Sequence, residues 1–340
     1  MKILGIEKSI PGRVQGSQDD KIVWIAWESH RRTRELCSFL NIQAFLLTSN
    51  LPRIIKHPLS MLKTWYIIHK TSPKVLIVQN PSIILTALSC LLRKIYCFRL
   101  VVDSHNAGII PATKNLQKIN FLYTYLQRVA DLTIITNHEL SKLVLSNGGK
   151  PFVLPDKVPF PASKRKLDLG GKYNVVVICT FDSDEPYEAV FEASKQLKGE
   201  VKFYVTGSYK KLPKKLIESV SYHIKFTGYL PDKDYWDLLF SADTIVDLTN
   251  LNNCLVCGAY EAVAVGTPLI LSDTEVLRTY FSRGAIYTSN NVINIVQAIR
   301  EAIRKRNELE REIRDLRVEL EANWLEVGRD LKDTILKWCE

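Results

Sequence analysis

A carboxylate, a run of asparagines and a Gly-Thr-Pro stand close together between Asn250 and Asp273, in NLNNCLVCGAYEAVAVGTPLILSD. Glu261 lies two turns into the helix-like apolar run Leu255 to Val265. A carboxylate there can accept hydrogen bonds from both hydroxyls of a ribose. A helix start also presents unpaired N–H groups and the positive end of a dipole, which suit a diphosphate. Asn252, Asn253, Cys254 and Leu255 stand at that helix start, beside where a diphosphate would lie. Positioning these groups requires particular elements. Thr244 to Thr249 reads as an apolar strand, Gly266 stops the helix, Thr267-Pro268 prevents its continuation, and Leu269 to Leu271 reads as a second strand. Strand, polar loop, helix and strand make a βαβ unit with a ligand site at its mouth.

Two further clusters could do chemistry. The strand Arg99 to Val102 ends in Asp103-Ser-His-Asn106, a polar group at the carboxyl end of a strand, where parallel sheets bind ligands. His105 and Asn106 are the candidates there. The strand Ile22 to Trp27 leads to His30, Arg31, Arg32 and Arg34 at a helix start, where cations oppose the dipole. That placement indicates either an anionic ligand or a solvated basic turn. Asp182-Ser-Asp184 is a DxD triplet, too short a match to imply a metal. Cys254-x-x-Cys257 has no second pair and no nearby histidine, so a zinc site is not expected. The expected metal count is none.

The 340 residues suit two domains, and 46% hydrophobic with 24% charged residues indicates a globular protein. Seven cysteines, an odd number mostly within apolar runs, indicate reduced thiols and a cytoplasmic setting. Met1 to Ile6 is too short for a signal-peptide core, and no stretch reaches the roughly 18 apolar residues of a membrane span. The net charge of +10 is uneven: residues 1–150 hold 20 Lys/Arg against 8 Asp/Glu, and residues 151–340 hold 26 against 28. A basic first half implies an anionic partner, nucleic acid or an acidic membrane face. No RNP motif, zinc finger or GXXG clamp is present, so nucleic acid is not expected. Residues 53–70, RIIKHPLSMLKTWYIIHK, place apolar residues at helical spacing with Arg53, Lys56, Lys63 and Lys70 between them and an interruption at Pro58. This is the pattern of a helix on an anionic membrane, or of an amphipathic helix packed on its own domain. The first alternative predicts peripheral association with the inner membrane face.

Alternating strands and helices continue along the chain. Lys2 to Ile6 reads as a short strand, and a helix is expected from about Leu116 to Val129. Asn137 should cap a helix His138 to Ser146, ended by Gly148-Gly149. A proline-rich crossing, Pro151 to Pro161, and a basic linker, Lys164 to Lys172, mark a boundary. The expected domains are 1–165, 166–300 and C-terminal helices 301–340. Past Val292 the pattern is helical, with opposite charges four apart such as Glu301–Lys305.

Glu261 with Gly266-Thr267-Pro268 resembles the nucleotide-binding motif of GT-B glycosyltransferases, especially family 4. That motif has a first Glu eight positions before the second; here Asn253 stands there. Several pieces are similar to chitobiosyl-diphosphodolichol β-mannosyltransferase and its relatives: Asp103-Ser-His-Asn106, the loop Thr180-Phe-Asp-Ser-Asp-Glu-Pro-Tyr187, and Arg31-Arg-Thr-Arg34. The resemblance covers about Ile22 to Arg300. It implies two Rossmann-like domains facing across a cleft, residues 1–165 on the acceptor side and 166–300 binding the nucleotide-sugar, with C-terminal helices 301–340 returning to the first domain. It places Thr180, Thr206, Gly207, Tyr229 and Leu230 around the nucleotide with Glu261, His105 against the transferred sugar, and His30, Arg31, Arg32 and Asn106 on the acceptor or anion side. No cofactor is implied, the nucleotide-sugar being a substrate. Family 4 holds the donor diphosphate with an Arg and a Lys after the first strand of the second domain. Asp182, Asp184 and Glu185 occupy that loop here, so the phosphates must rely on helix N–H groups or on a base outside the loop.

The activity this implies is transfer of a sugar from a UDP- or GDP-linked donor to a hydroxyl of a lipid-linked or polysaccharide-precursor acceptor. Two other functions fit the same residues: a nucleotide-sugar epimerase, and a non-catalytic nucleotide-sugar-binding protein. A Rossmann dehydrogenase is disfavoured, because no G-x-G-x-x-G follows a strand.

Overall fold

The computed structural model describes residues 21–80, 82–110 and 118–340. The expected strand Lys2 to Ile6 and the start of the expected helix at Leu116 lie outside the described residues; the helix runs Asn120–Val129. The chain divides into two compact units, Met1–Lys157 with Trp324–Glu340, and Val158–Asn323.

The first unit is built on a six-stranded parallel sheet. Its strands are β1 (Ile22–Ala26), β2 (Gln43–Leu46), β3 (Val75–Asn80), β4 (Arg99–Ser104), β5 (Leu132–Ile135) and β6 (Pro151–Val153), in the order β2-β1-β3-β4-β5-β6. Every residue of β1 and β3 is buried, as continuous Val/Ile/Leu runs require when helices cover both faces. Helices Arg53–Thr71, Ile83–Tyr96 and Asn120–Val129 share one core with the sheet, through Ile67, Ile68, Leu85, Leu92 and Leu126. The opposite core takes Leu36 and Leu40 from helix Arg31–Leu40 together with Trp324, Leu331 and Ile335 from the chain's end. Trp324 packs edge-on against Phe39 at 4.9 Å and donates to the Pro155 carbonyl. Pro58 lies inside helix Arg53–Thr71 without ending it. It sits just past the first turn, so its missing N–H removes one backbone bond, on the outward side. Asn137 caps helix His138–Ser146 through its side chain, as the sequence suggests.

The second unit repeats the design. Its strands are β7 (Asn174–Val177), β8 (Lys202–Thr206), β9 (Ile224–Gly228), β10 (Thr244–Asp247), β11 (Leu269–Ser272) and β12 (Ala285–Thr288), all parallel, in the order β12-β11-β10-β7-β8-β9. The order turns back on itself between β7 and β10. The loops leaving these two neighbours diverge, and ligands of such sheets bind in the crevice this opens. In the first unit the same reversal falls between β1 and β3.

Candidate active site

In the second unit the two switch-point loops are tied together. The loop after β7 runs Ile178 to Pro186, and the loop after β10 runs Leu248 to Val256. Asp184 joins them, its carboxylate accepting from the Thr249 hydroxyl at 3.2 Å and its carbonyl from the Asn250 amide at 2.6 Å. Asn290 and Ser272 hold the second loop from the other side, through the Thr249 carbonyl and amide. A small recess between Cys179, Glu185, Pro186, Tyr187 and Leu248 opens at the β7 end.

Thr180, Thr206 and Gly207 come together here. The Thr206 hydroxyl sits between the Val177 carbonyl and the Cys179 amide, at 3.3 and 3.4 Å. Gly207 has φ +85°, and a Cβ there would overlap the Cys179 carbonyl oxygen outright. Only glycine lets the loops after β7 and β8 approach so closely. Tyr229 is largely exposed and Leu230 half-buried, just past Gly228.

The loop Thr180 to Glu185 is organised by its own carboxylate. Glu185 accepts from the Thr180 amide and hydroxyl, the Asp182 amide and the Cys179 thiol, all within 3.1 Å. Phe181 takes a left-handed conformation, φ +60°, which turns neighbouring amides inward. The turn therefore already encloses an anion, belonging to the chain. Burial pushes the Cys179 thiol up, and the Glu185 carboxylate adds to the effect, so this cysteine is no thiolate. Lys211 is the positive charge that the loop sequence lacks. It lies on the 3-10 turn Tyr209–Lys211 and places Nζ 2.9 Å from the Thr180 carbonyl and 3.1 Å from Asp182. Its hydrogen bond to Asp182 raises its pKa. Nothing in the local sequence marks Lys211; only the pairing of β7 with β8 brings it here.

Glu261 is half-buried on helix Cys257–Val265 and accepts from the Tyr235 hydroxyl at 2.6 Å. This helix begins two residues later than the sequence pattern suggests, leaving Leu255 and Val256 buried in the turn before it. Its start also differs from expectation. The amides of Gly258 and Ala259, expected to be open to a diphosphate, donate to Asp247 at the end of β10. Gly258 permits this, since a Cβ there would lie 2.5 Å from the Asp247 oxygen. Burial, followed by the charges of Glu261 and Glu185, raises the Asp247 carboxyl well above its ordinary value, although the two amides pull the other way. Burial thus favours the neutral form of Asp247, which serves as a helix cap supplied from a strand. Asn252 is exposed on the approach to the helix, and Asn253 and Cys254 are half-buried.

In the first unit the predicted residues gather around one arginine. Arg32 is buried, donating to Asp103 at 2.8 Å, Asp156 at 2.7 Å and the Leu154 carbonyl at 2.9 Å. The turn expected to be solvated or ligand-binding therefore spends Arg32 internally; Arg31 is half-buried near Glu35, and Arg34 donates to Ser29. Burial opposes the charge on Arg32, but the two carboxylates more than offset it and raise its pKa. Asp156 is likewise penalised by burial, yet the guanidinium holds it below the usual carboxylate range. His30 caps helix Arg31–Leu40, its Nδ1 accepting from the Arg32 amide at 3.3 Å. That bond leaves the proton of the neutral ring on Nε2. Burial first, and then the neighbouring His105, lowers the His30 pKa. The two rings lie 4.4 Å apart. The His105 Nε2 is buried without a hydrogen-bond partner among the described residues, and the His105 amide donates to the Asn80 carbonyl at the end of β3. Asn106 opens the short helix Asn106–Ile109 beside it. No cluster of three or more metal-ligating side chains occurs among the described residues. Asp182 and Asp184 turn to different partners, Lys211 and Thr249.

Residues 160–316 match the model of the family described as Glycosyl transferases group 1. The chain is a glycosyltransferase. Solved structures share the whole fold. Sucrose-phosphate synthase from Thermosynechococcus elongatus superposes with a TM-score of 0.75 at 14% identity, over 93% of this chain and 98% of its own. HepE of Anabaena in complex with UDP gives 0.72 at 14% identity, over 93% and 99%. A glycosyltransferase from Rickettsia africae gives 0.69 at 14%, over 94% and 98%. At this identity the likeness shows the fold, which is GT-B. No curated protein matches the chain by sequence. The matched region of the transferase contains the Thr180–Glu185 loop, Thr206, Gly207, Tyr229 and Glu261.

Proposed function

We propose that this glycosyltransferase moves a sugar from a UDP- or GDP-linked donor to a hydroxyl of a lipid-linked or polysaccharide-precursor acceptor at a membrane face. The observation that carries the donor half is Glu261, a carboxylate steadied by Tyr235 at 2.6 Å within the group 1 region. Its role is to accept the ribose hydroxyls. Thr180, Thr206, Gly207, Tyr229 and Leu230 line the nucleotide beside it, and Asn252 to Leu255 meet the sugar and diphosphate. With Glu185 filling the turn after β7 and Asp247 capping two helix amides, the diphosphate draws on Lys211 for positive charge. A uridine nucleotide is favoured by HepE, solved with UDP and with UDP-glucose. In the first unit His105, with an unpartnered buried Nε2, acts on the transferred sugar, and His30, Arg31 and Asn106 serve the acceptor side. The similarity of Asp103-Ser-His-Asn106 and the Thr180 loop to the chitobiosyl-diphosphodolichol β-mannosyltransferase group supports a lipid-diphosphate acceptor. So does the exposed apolar and basic helix of residues 53–70, read as the contact with an anionic inner membrane face. No described helix is long and apolar enough to cross a membrane.

The test is thermal stabilisation by a panel of UDP- and GDP-sugars, run on the wild-type protein and Glu261→Ala. A ligand at 100 times its Kd adds about 2.7 kcal/mol. Losing hydrogen bonds to a charged group costs roughly 1.5–3 kcal/mol. Glu261→Ala should therefore keep its unliganded melting temperature and lose most of the donor-induced shift. An undiminished shift would remove Glu261 from the nucleotide site.

A further inference from the structure

The helix of residues 53–70 does not stand alone. Its neighbours Ile83–Tyr96 and Asn120–Val129 pack beside it over the same face of the first sheet. His69 on the first helix meets Tyr96 on the second at 3.3 Å. Arg93 on the second donates to the Val129 carbonyl at the end of the third. Each helix turns its large core residues inward and carries a second apolar stripe outward. On Arg53–Thr71 this stripe is Ile54, Leu62 and Trp65, with Ile54 88% exposed. On Ile83–Tyr96 it is Ile84, Leu91 and Ile95, spaced i, i+7, i+11, with Ile95 71% exposed. On Asn120–Val129 it is Phe121 and Tyr125, one turn apart, with Phe121 72% exposed. Isolated exposed aliphatics are ordinary, but three helices packed in a row, each with an outward apolar stripe, are not.

The charges on these helices decide what covers them. The three helices carry seven Lys/Arg and no Asp or Glu. Arg93 is spent internally on Val129 and Asp131. Arg128 donates to the Asn147 carbonyl, and Arg53, Lys56, Lys63, Lys70 and Lys94 remain around the stripes. A second copy of this chain would bring the same positive face against itself, with no carboxylate to compensate. Nucleic acid would meet the cations but leave isoleucine and leucine stripes without a partner, since they offer no face for bases to stack on. An anionic bilayer satisfies both features, taking the aliphatic and aromatic side chains below its headgroups and the cations at their level.

We infer that the three helices together form a membrane-docking platform, on which residues 83–96 and 120–129 insert alongside residues 53–71. The inference rests on the membrane-face reading above and extends it from one amphipathic helix to a surface. Docking through this surface is reversible, because none of the three helices is long and apolar enough to cross a membrane.

Co-sedimentation with phosphatidylcholine vesicles, with and without 30 mol% phosphatidylglycerol (a chosen test composition), addresses this with the full chain. Wild type should bind the anionic vesicles and release as salt rises. Leu91→Glu, Ile95→Glu and Phe121→Glu, on the second and third helices, should each weaken partitioning by on the order of tenfold, as should Leu62→Glu on the first. Thermal melting and UDP-sugar binding, measured alongside, should remain as in wild type. Leu91→Ser and Phe121→Ser provide milder substitutions should the glutamates perturb folding. Full binding by the second- and third-helix variants, with loss only for Leu62→Glu, overturns the platform but leaves the single-helix reading standing. Failure of wild type to bind anionic vesicles at low salt overturns both. A lipid-independent dimer abolished by the same substitutions would make the face a protein interface and also overturn the proposal.

Discussion

Replacing Arg32 by leucine should damage the first unit more than removal of a single surface charge would. The guanidinium is 3% exposed and satisfies two carboxylates, Asp103 and Asp156, at 2.8 and 2.7 Å. Arg32→Leu keeps much of the side-chain volume and strands both. Removing one partner of a buried ion pair costs about 3–5 kcal/mol, because an uncompensated charge stays buried. The pH dependence has a definite sign. In wild type the Asp156 pKa is held low, so its contribution is present above the ordinary carboxylate range and is lost as pH falls through the depressed value. In the variant burial acts on Asp156 against only the weaker pull of His105 and His30, and its folded pKa should rise above that of the unfolded chain. Stability of the variant should then decline as pH rises through the window between the two values. The gap between the proteins should be widest near pH 8 and shrink toward pH 5. Urea unfolding followed by tryptophan fluorescence reads this unit selectively, since Trp24, Trp27, Trp65, Trp324 and Trp338 lie in it and only Trp236 in the other. Adding Asp103→Asn and Asp156→Asn to Arg32→Leu should recover much of the loss. A variant destabilised by less than about 1 kcal/mol, or equally at both pH values, would refute the view that Arg32 is needed to neutralise buried carboxylates.

Two further outcomes are expected. His105→Ala should reduce turnover far more than donor affinity, because His105 lies in the first unit and the residues proposed to hold the nucleotide lie in the second; single-turnover kinetics with a measured donor Kd would show the split, and wild-type turnover would end the assignment. Gly207→Ala combines positive φ with a Cβ driven into the Cys179 carbonyl, so it should cost more than the roughly 1–2 kcal/mol of a left-handed backbone alone and weaken donor binding; a melting temperature within about a degree of wild type would contradict that geometry.

The sequence by itself determined the elements and their kind. Continuous apolar runs such as Val75-Leu-Ile-Val78, alternating with helical periodicity, require buried parallel strands crossed by helices, and Gly266-Thr267-Pro268 ends its helix where the pattern says it must. The order of motifs was legible too, because Glu261 is marked by its spacing from Gly266-Thr267-Pro268, and Gly207 and His105 by their places at strand ends. Which charges oppose which was decided only by tertiary structure. Arg32 reads as a surface cation in a basic turn, yet Asp103 and Asp156, 71 and 124 residues away in sequence, draw it inside. The Gly258 and Ala259 amides look available until β10 places Asp247 beneath them. Lys211 carries no motif and reaches Thr180 only because β7 and β8 are neighbours. The same holds for the outward stripes of the first unit: periodicity shows that a helix has two apolar faces, but only packing decides which face the sheet consumes and which is left for a partner.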